Sequence, residues 1–142
     1  MAYRIVLECP GAPTREVLET ALEAMVKANA EWFRVEWAAG REPPCCLGCA
    51  GVKYRPDRPG TTSATKGADA VLREGFASCQ SAAVYYAGRE RALALEAGEA
   101  NAALDHRAVL DERAHGDAPD GYWHALVVQG AELKDVTEEM DR

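Results

Sequence analysis

The sequence predicts an α+β fold: an antiparallel sheet of about four strands with two main helices packed on one face. Three observations carry this expectation. Residues 15–37 place apolar side chains at helical spacing, residues 78–95 do so again behind a serine, and the last third breaks into short β-branched and aromatic stretches divided by turns. Taken in chain order, β-α-(loop)-α-β-β-β, these elements lay helices against a sheet, in one domain spanning residues 1–142.

"AYRIVLEC" (2–9) alternates Tyr3, Ile5, Leu7 and Cys9 on one face, the pattern of a strand, and "PGAP" ends it. Thr14 is placed to cap a helix in which Leu18, Leu22, Met25, Val26, Trp32 and Phe33 recur at helical spacing. Trp32, Phe33 and Trp37 form its core-facing end, and "AAGREPP" stops it. Residues 38–66 hold four prolines, four glycines and three cysteines, which makes an irregular loop. "ADAVLREG" reads as a short helix. Ser78 then caps a second long helix running to about Leu95, with Ala82, Ala83, Tyr86, Ala87 and Leu93 as its buried stripe. Tyr85 and Tyr86 cannot share one helix face, so one of them is expected to line a groove. "LDHRAVLDERA", "YWHALVVQ" and "ELKDVT" complete the sheet as three antiparallel strands, and Met140 anchors a solvated end.

Composition narrows the function. At 142 residues, 48 % hydrophobic and 27 % charged, the chain can bury a core without disulfides or metals. A net charge of −7, with no basic block, speaks against nucleic acid as a partner. Every apolar run is soon interrupted by Glu, Lys or Arg, so no membrane span is expected. The start lacks the features of a signal peptide, and the five cysteines (Cys9, Cys45, Cys46, Cys49 and Cys79) are an odd number. Both points suggest free thiols and synthesis in a cytoplasm.

Five cysteines and three histidines leave few candidates for a site. A thiol attacks as its anion, and the unpaired N–H groups at a helix N-terminus favour that anion. Cys79 follows the cap Ser78 directly. His124 lies in the strand "YWHALVVQ", and Asp135 stands 11 residues later at the end of the next strand. Antiparallel pairing would bring the two together if both face the helix, giving a nucleophile, an imidazole and a third group to orient it.

Three stretches, "GVKYRPD" (51–57), "LREGFASCQSAAVYYAGRERA" (72–92) and "YWHALVVQGAELKDVTEEM" (122–140), resemble the papain-like and transglutaminase-like cysteine enzymes. The nearer likeness is to small transglutaminase-like proteins of bacteriophage and prophage structural gene clusters. The resemblance implies a transglutaminase-like core with Cys79 as nucleophile, His124 as general base and Asp135 as its orienting partner. It also implies a phage-associated hydrolase or acyltransferase acting on a peptide or amide, made in a bacterial cytoplasm and carried in the virion. The chain departs from the family pattern at Ala77-Ser78, where Gly-Asp is usual. It departs again at Gln80-Ser81, in place of an acidic pair, and at Val136, in place of a proline.

Plainer readings stand beside these. A cysteine among alanines also suits a core. The same fold can serve as a non-catalytic part of a phage head, neck or tail, docking on neighbouring structural proteins. "PPCCLGCAG" has ligand-like spacing but lacks a matching fourth ligand, so neither a metal nor another cofactor is expected. The same stretch would allow a Cys46–Cys49 disulfide outside a cell. His106 reads as a sheet-face residue, His115 as a solvated turn residue, and Trp123 as facing away from His124.

Overall fold

The computed structural model describes residues 14–55, 65–111 and 124–140. The strand expected at residues 2–9, together with Cys9, His115 and Trp123, lies outside the described residues.

Thr14 is extended, and its hydroxyl accepts from the Val17 amide at 3.2 Å, starting α1 (Arg15–Ala38) where the sequence places it. Leu22, Met25, Val26, Asn29, Ala30 and Phe33 line its buried side. Phe33 is the hub of an aromatic cluster with Trp32, Trp37 and Tyr85, ring centroids 5.1–5.7 Å apart. After an irregular loop come β1 (Lys53–Tyr54), α2 (Ala68–Glu74) and β2 (Phe76–Ala77), with β1 and β2 paired in parallel. Two-residue strands are too short to show periodicity, so this pair leaves no signal in the sequence.

From β2 the chain runs straight through Ser78 into α3 (Cys79–Glu96). The Ser78 hydroxyl accepts from the Ser81 amide at 3.3 Å, the capping bond expected of it. Residues 81 to 88 are all buried, because α1 packs on one side of α3 and the sheet on another. This explains two departures from the expected stripe. Tyr85 and Tyr86 are both buried; the loop before β1 covers them, Tyr85 donating to the Pro44 carbonyl at 2.6 Å and Tyr86 accepting from the Leu47 amide at 2.8 Å. Leu93 lies on the line of Ala82 and Tyr86 but beyond that cover, and is 40 % exposed.

A short α4 (Ala102–Asp105) leads into the sheet of β3 (His106–Asp111), β4 (His124–Gln129) and β5 (Glu132–Lys134), antiparallel in the order β3-β4-β5. A turn at Gly130, with φ of +61°, joins the last two strands. The described residues therefore form an α+β fold with three strands in the main sheet, and the fourth expected strand falls on residues 2–9. A 3-10 turn, Val136–Glu139, closes the description, with Met140 buried behind it.

Polar contacts fix how the layers sit. Arg91 is buried on α3; its guanidinium meets the Glu23 carboxylate through two 2.6 Å bonds and donates to the His106 and Ala103 carbonyls. One side chain thus joins α1, α3 and the start of β3. Asn29 does the same at the other end. Its amide donates to the Val84 carbonyl, and its oxygen accepts from the Ala68 amide, each at 2.9 Å. The Ala68 amide is one that α2 cannot pair within itself, and Asn29 serves it because Gly67 has no side chain to cap it.

Gly88 lets the two long helices approach. A Cβ there would stand 2.5 Å from the Asn29 Cβ and 3.2 Å from α1 backbone atoms. Helix propensity alone favours Gly88→Ala by about 1 kcal/mol, whereas overpacking costs about 1–3 kcal/mol. Sterics should win. We expect Gly88→Ala to lower the unfolding free energy by about 1–2 kcal/mol in urea titrations; a neutral or stabilised variant would show that the helices have room to part.

Candidate active site

Cys79 is the first residue of α3, so its own amide is among those that the helix cannot pair internally. Its side chain belongs to the core and the residue is 6 % exposed. The sulfur nevertheless has a polar neighbour, the His124 imidazole, whose pKa it raises. His124 begins β4, and its Nε2 lies 2.8 Å from Asp135 Oδ2. With Nε2 committed to the carboxylate, Nδ1 is the ring nitrogen left for the sulfur. The three candidates named from the sequence therefore meet, in the order thiol, imidazole, carboxylate.

Register explains half of this meeting. Lys134 pairs with Val127, so the next residue, Asp135, stands against Leu126, one diagonal step from His124 on the same sheet face. The other half comes from the 3-10 turn. Asp135 caps it, with Oδ1 accepting from the Thr137 amide at 3.0 Å and from the Thr137 hydroxyl at 2.6 Å. Those two bonds occupy one carboxylate oxygen and aim the other at the imidazole. Thr137 is fully buried, and its part in the site was missed in the sequence, although a Thr two residues after an Asp is a recognisable turn-capping pattern.

The electrostatics follow from these contacts. The Cys79 side chain pushes the His124 pKa up to about 9, with Asp135 adding to the rise and burial opposing it. For Asp135, burial works to raise the pKa, but the bonds from Thr137 and His124 prevail and hold it below the ordinary carboxylate range. At neutral pH the site thus contains a carboxylate and an imidazolium beside the sulfur.

Residues around Cys79 have positioning contacts that the sequence did not assign. Gln80 Oε1 accepts from the Thr65 hydroxyl, and the Ser81 hydroxyl accepts from the Lys66 amide, each at 2.9 Å. Ser81 also lies 3.4 Å from the Ser78 hydroxyl. The chain before α2 is thereby tied to the first turn of α3. Cys45, Cys46 and Cys49 do not join the triad, because their loop packs at Tyr85 and Tyr86, about two helical turns from Cys79. Among the described residues, no group of three or more His, Cys, Asp or Glu is placed to hold a metal ion, and no helix is long and apolar enough to cross a membrane.

No family model matches the chain, and neither the curated proteins nor the solved structures show a match to it. The functional reading accordingly rests on the geometry of these side chains.

Because His124 binds its proton more tightly folded than unfolded, its contribution to stability is complete below about pH 6.5 and is lost as pH rises through about 9. An NMR titration should find the ring titrating near 9. Cys79→Ser should move that value down the most and Asp135→Asn by less; a wild-type value near 6.5 would detach the imidazole from the sulfur.

Proposed function

We propose that the protein is a cysteine hydrolase or acyltransferase with a transglutaminase-like core, associated with a bacteriophage and acting on a peptide or amide. The meeting of Cys79, His124 and Asp135 is the observation that carries this reading. In the proposed reaction Cys79 gives its proton to the His124 ring and attacks the acyl carbonyl as the thiolate, and the oxyanion is received by the Cys79 amide at the helix start. His124, now carrying that proton, is the acid that protonates the departing amine. A thioester remains on Cys79. Water then resolves it in a hydrolase and an amine in a transferase, with His124 now acting as base. Asp135, fixed by Thr137, keeps the ring aligned through both steps.

A second reading, assembly into a phage particle without turnover, draws on large apolar side chains left in water, Leu104 at 68 % and Leu133 at 57 % exposure. In that case Cys79→Ala would leave particle assembly intact, while Leu104→Asp with Leu133→Asp would block it.

The test of the first reading has two parts. Iodoacetamide labelling followed by peptide mass analysis should modify Cys79 at pH 6–7 at least about tenfold more slowly in His124→Ala than in the wild type. With acyl-amide or acyl-thioester substrates, offered with and without a primary amine, Cys79→Ala should cost at least about a thousandfold in turnover. Equal turnover by Cys79→Ala would end the enzymatic reading.

A further inference from the structure

The loop before β1 carries a second arrangement of thiols, which the chemistry at Cys79 does not use. Cys46-Leu47-Gly48-Cys49 is folded into a helical turn: the Ala50 amide donates to the Cys46 and Leu47 carbonyls at 3.3 and 3.1 Å. The Val52 amide donates back to the Leu47 carbonyl at 3.0 Å, and Gly51, with φ of +77°, turns the chain out. Such a turn puts residues three apart on one side. The Cys49 amide donates to the Cys46 sulfur at 3.4 Å, and the two thiols are near enough to shift each other's pKa. Cys49 is exposed and Cys46 half-buried, so a reagent can reach the pair.

The turn is held in place. Leu47, between the two cysteines, is fully buried, and its amide donates to the Tyr86 hydroxyl. That hydroxyl in turn is hydrogen-bonded to the Cys46 side chain, while Tyr85 secures the loop at Pro44. The Cys46 sulfur therefore receives the Cys49 amide, the Cys49 thiol and the Tyr86 hydroxyl. All are donors, and donors stabilise a thiolate over a thiol. The direction of both thiols agrees. The Cys49 thiol and amide hold the Cys46 pKa below the usual range, and the Cys46 side chain holds Cys49 above it.

We infer that Cys46 and Cys49 form a reversible dithiol–disulfide couple, in which Cys46 is the attacking sulfur and Cys49 the resolving one. The oxidant it takes is a small-molecule disulfide of the glutathione class. The Cys46 thiolate attacks one sulfur of that disulfide, the S–S bond breaks, and one glutathione thiolate leaves. Cys49 then loses its proton and attacks the Cys46 sulfur of the mixed disulfide, releasing the second glutathione. The two protein thiols together give up two protons and two electrons, and one external disulfide becomes two thiols. Cysteines three apart on one turn, with the amide of the second on the sulfur of the first, are placed to close a bond with little backbone movement. Cys45 stays outside the couple, because it is the Cys46 sulfur that receives the Cys49 amide.

A Cys9→Ser, Cys79→Ser background removes the other thiols outside the loop and leaves the three loop cysteines in the full chain. Equilibrated across a series of oxidised-to-reduced glutathione ratios, this protein should lose two alkylatable thiols together. Peptide mass analysis should find Cys46 joined to Cys49 and Cys45 free. Adding Cys49→Ser should trap a glutathione adduct on Cys46. Adding Cys46→Ser instead should form an adduct on Cys49 at least about tenfold more slowly. The proposal is overturned if adducts accumulate without an internal bond, if Cys45 is one of the joined pair, or if the two single variants react at equal rates.

Discussion

Helix α3 is clamped from two sides, by α1 across the glycine-sized approach at Gly88 and by β3 and β4 across its other face. A surface helix keeps one wet face and can shift by a fraction of a turn at modest cost. A helix buried along residues 81 to 88 cannot, because each of those side chains already fills space between neighbours. The clamp also carries charge. Arg91 binds Glu23 of α1 and the carbonyls that lead into β3, so sliding the helix against either layer would strand a buried guanidinium. The first turn of α3 is consequently a fixed point, and Cys79 stands on it. His124 is held by the sheet that touches the same helix, which turns a relation between distant parts of the chain into a short distance.

Much of this was legible in the sequence where a local signal matched the final contacts. Thr14 and Ser78 cap the helices that they were expected to cap, because capping depends on only the next three residues. The stripe of α1 was readable because one side of that helix stays wet. Burial on several sides erases the period that would reveal the stripe of α3, so spacing makes Tyr85 and Tyr86 rivals for one face although each has its own cover. Leu93 looked buried because spacing says which residues share a face but not how far along the helix the cover extends. The β1–β2 pair and the Thr137 clamp on Asp135 were hidden for a different reason. Each is two residues long, shorter than any repeat that periodicity can register.

The residues around Cys79 that depart from the resembled pattern have structural employment. Where the resemblance leads one to expect acidic residues, Gln80 and Ser81 receive hydrogen bonds from Thr65 and the Lys66 amide. An uncharged first turn also leaves the helix terminus free of fixed anions next to the sulfur, and a carboxylate there would compete with a thiolate for the same amides. Val136, in place of a proline, is buried, and the 3-10 turn that it starts still delivers the Thr137 amide and hydroxyl to Asp135. These departures therefore leave the alignment of the imidazole to the same two bonds on Asp135 Oδ1.

The two thiol sites differ in the kind of group that faces each sulfur, and this difference separates the chemistries open to them. Cys79 faces an imidazole, which can hold a proton, give it to a leaving amine and take another from water. Acyl transfer needs each of those steps. Cys46 faces an amide, a thiol and a phenol, of which only the thiol readily gives up its proton, and in doing so becomes a second nucleophile. That set cannot assist an amine to leave, but it suits disulfide exchange, where the departing group is a thiolate and needs no proton. Nor can Cys49 take the place of His124 for Cys79, since Leu47 and the tyrosines keep its loop about two turns along the helix. Under the two proposals, proton transfer and electron transfer fall on separate sulfurs, one buried at Cys79 and one exposed at Cys49.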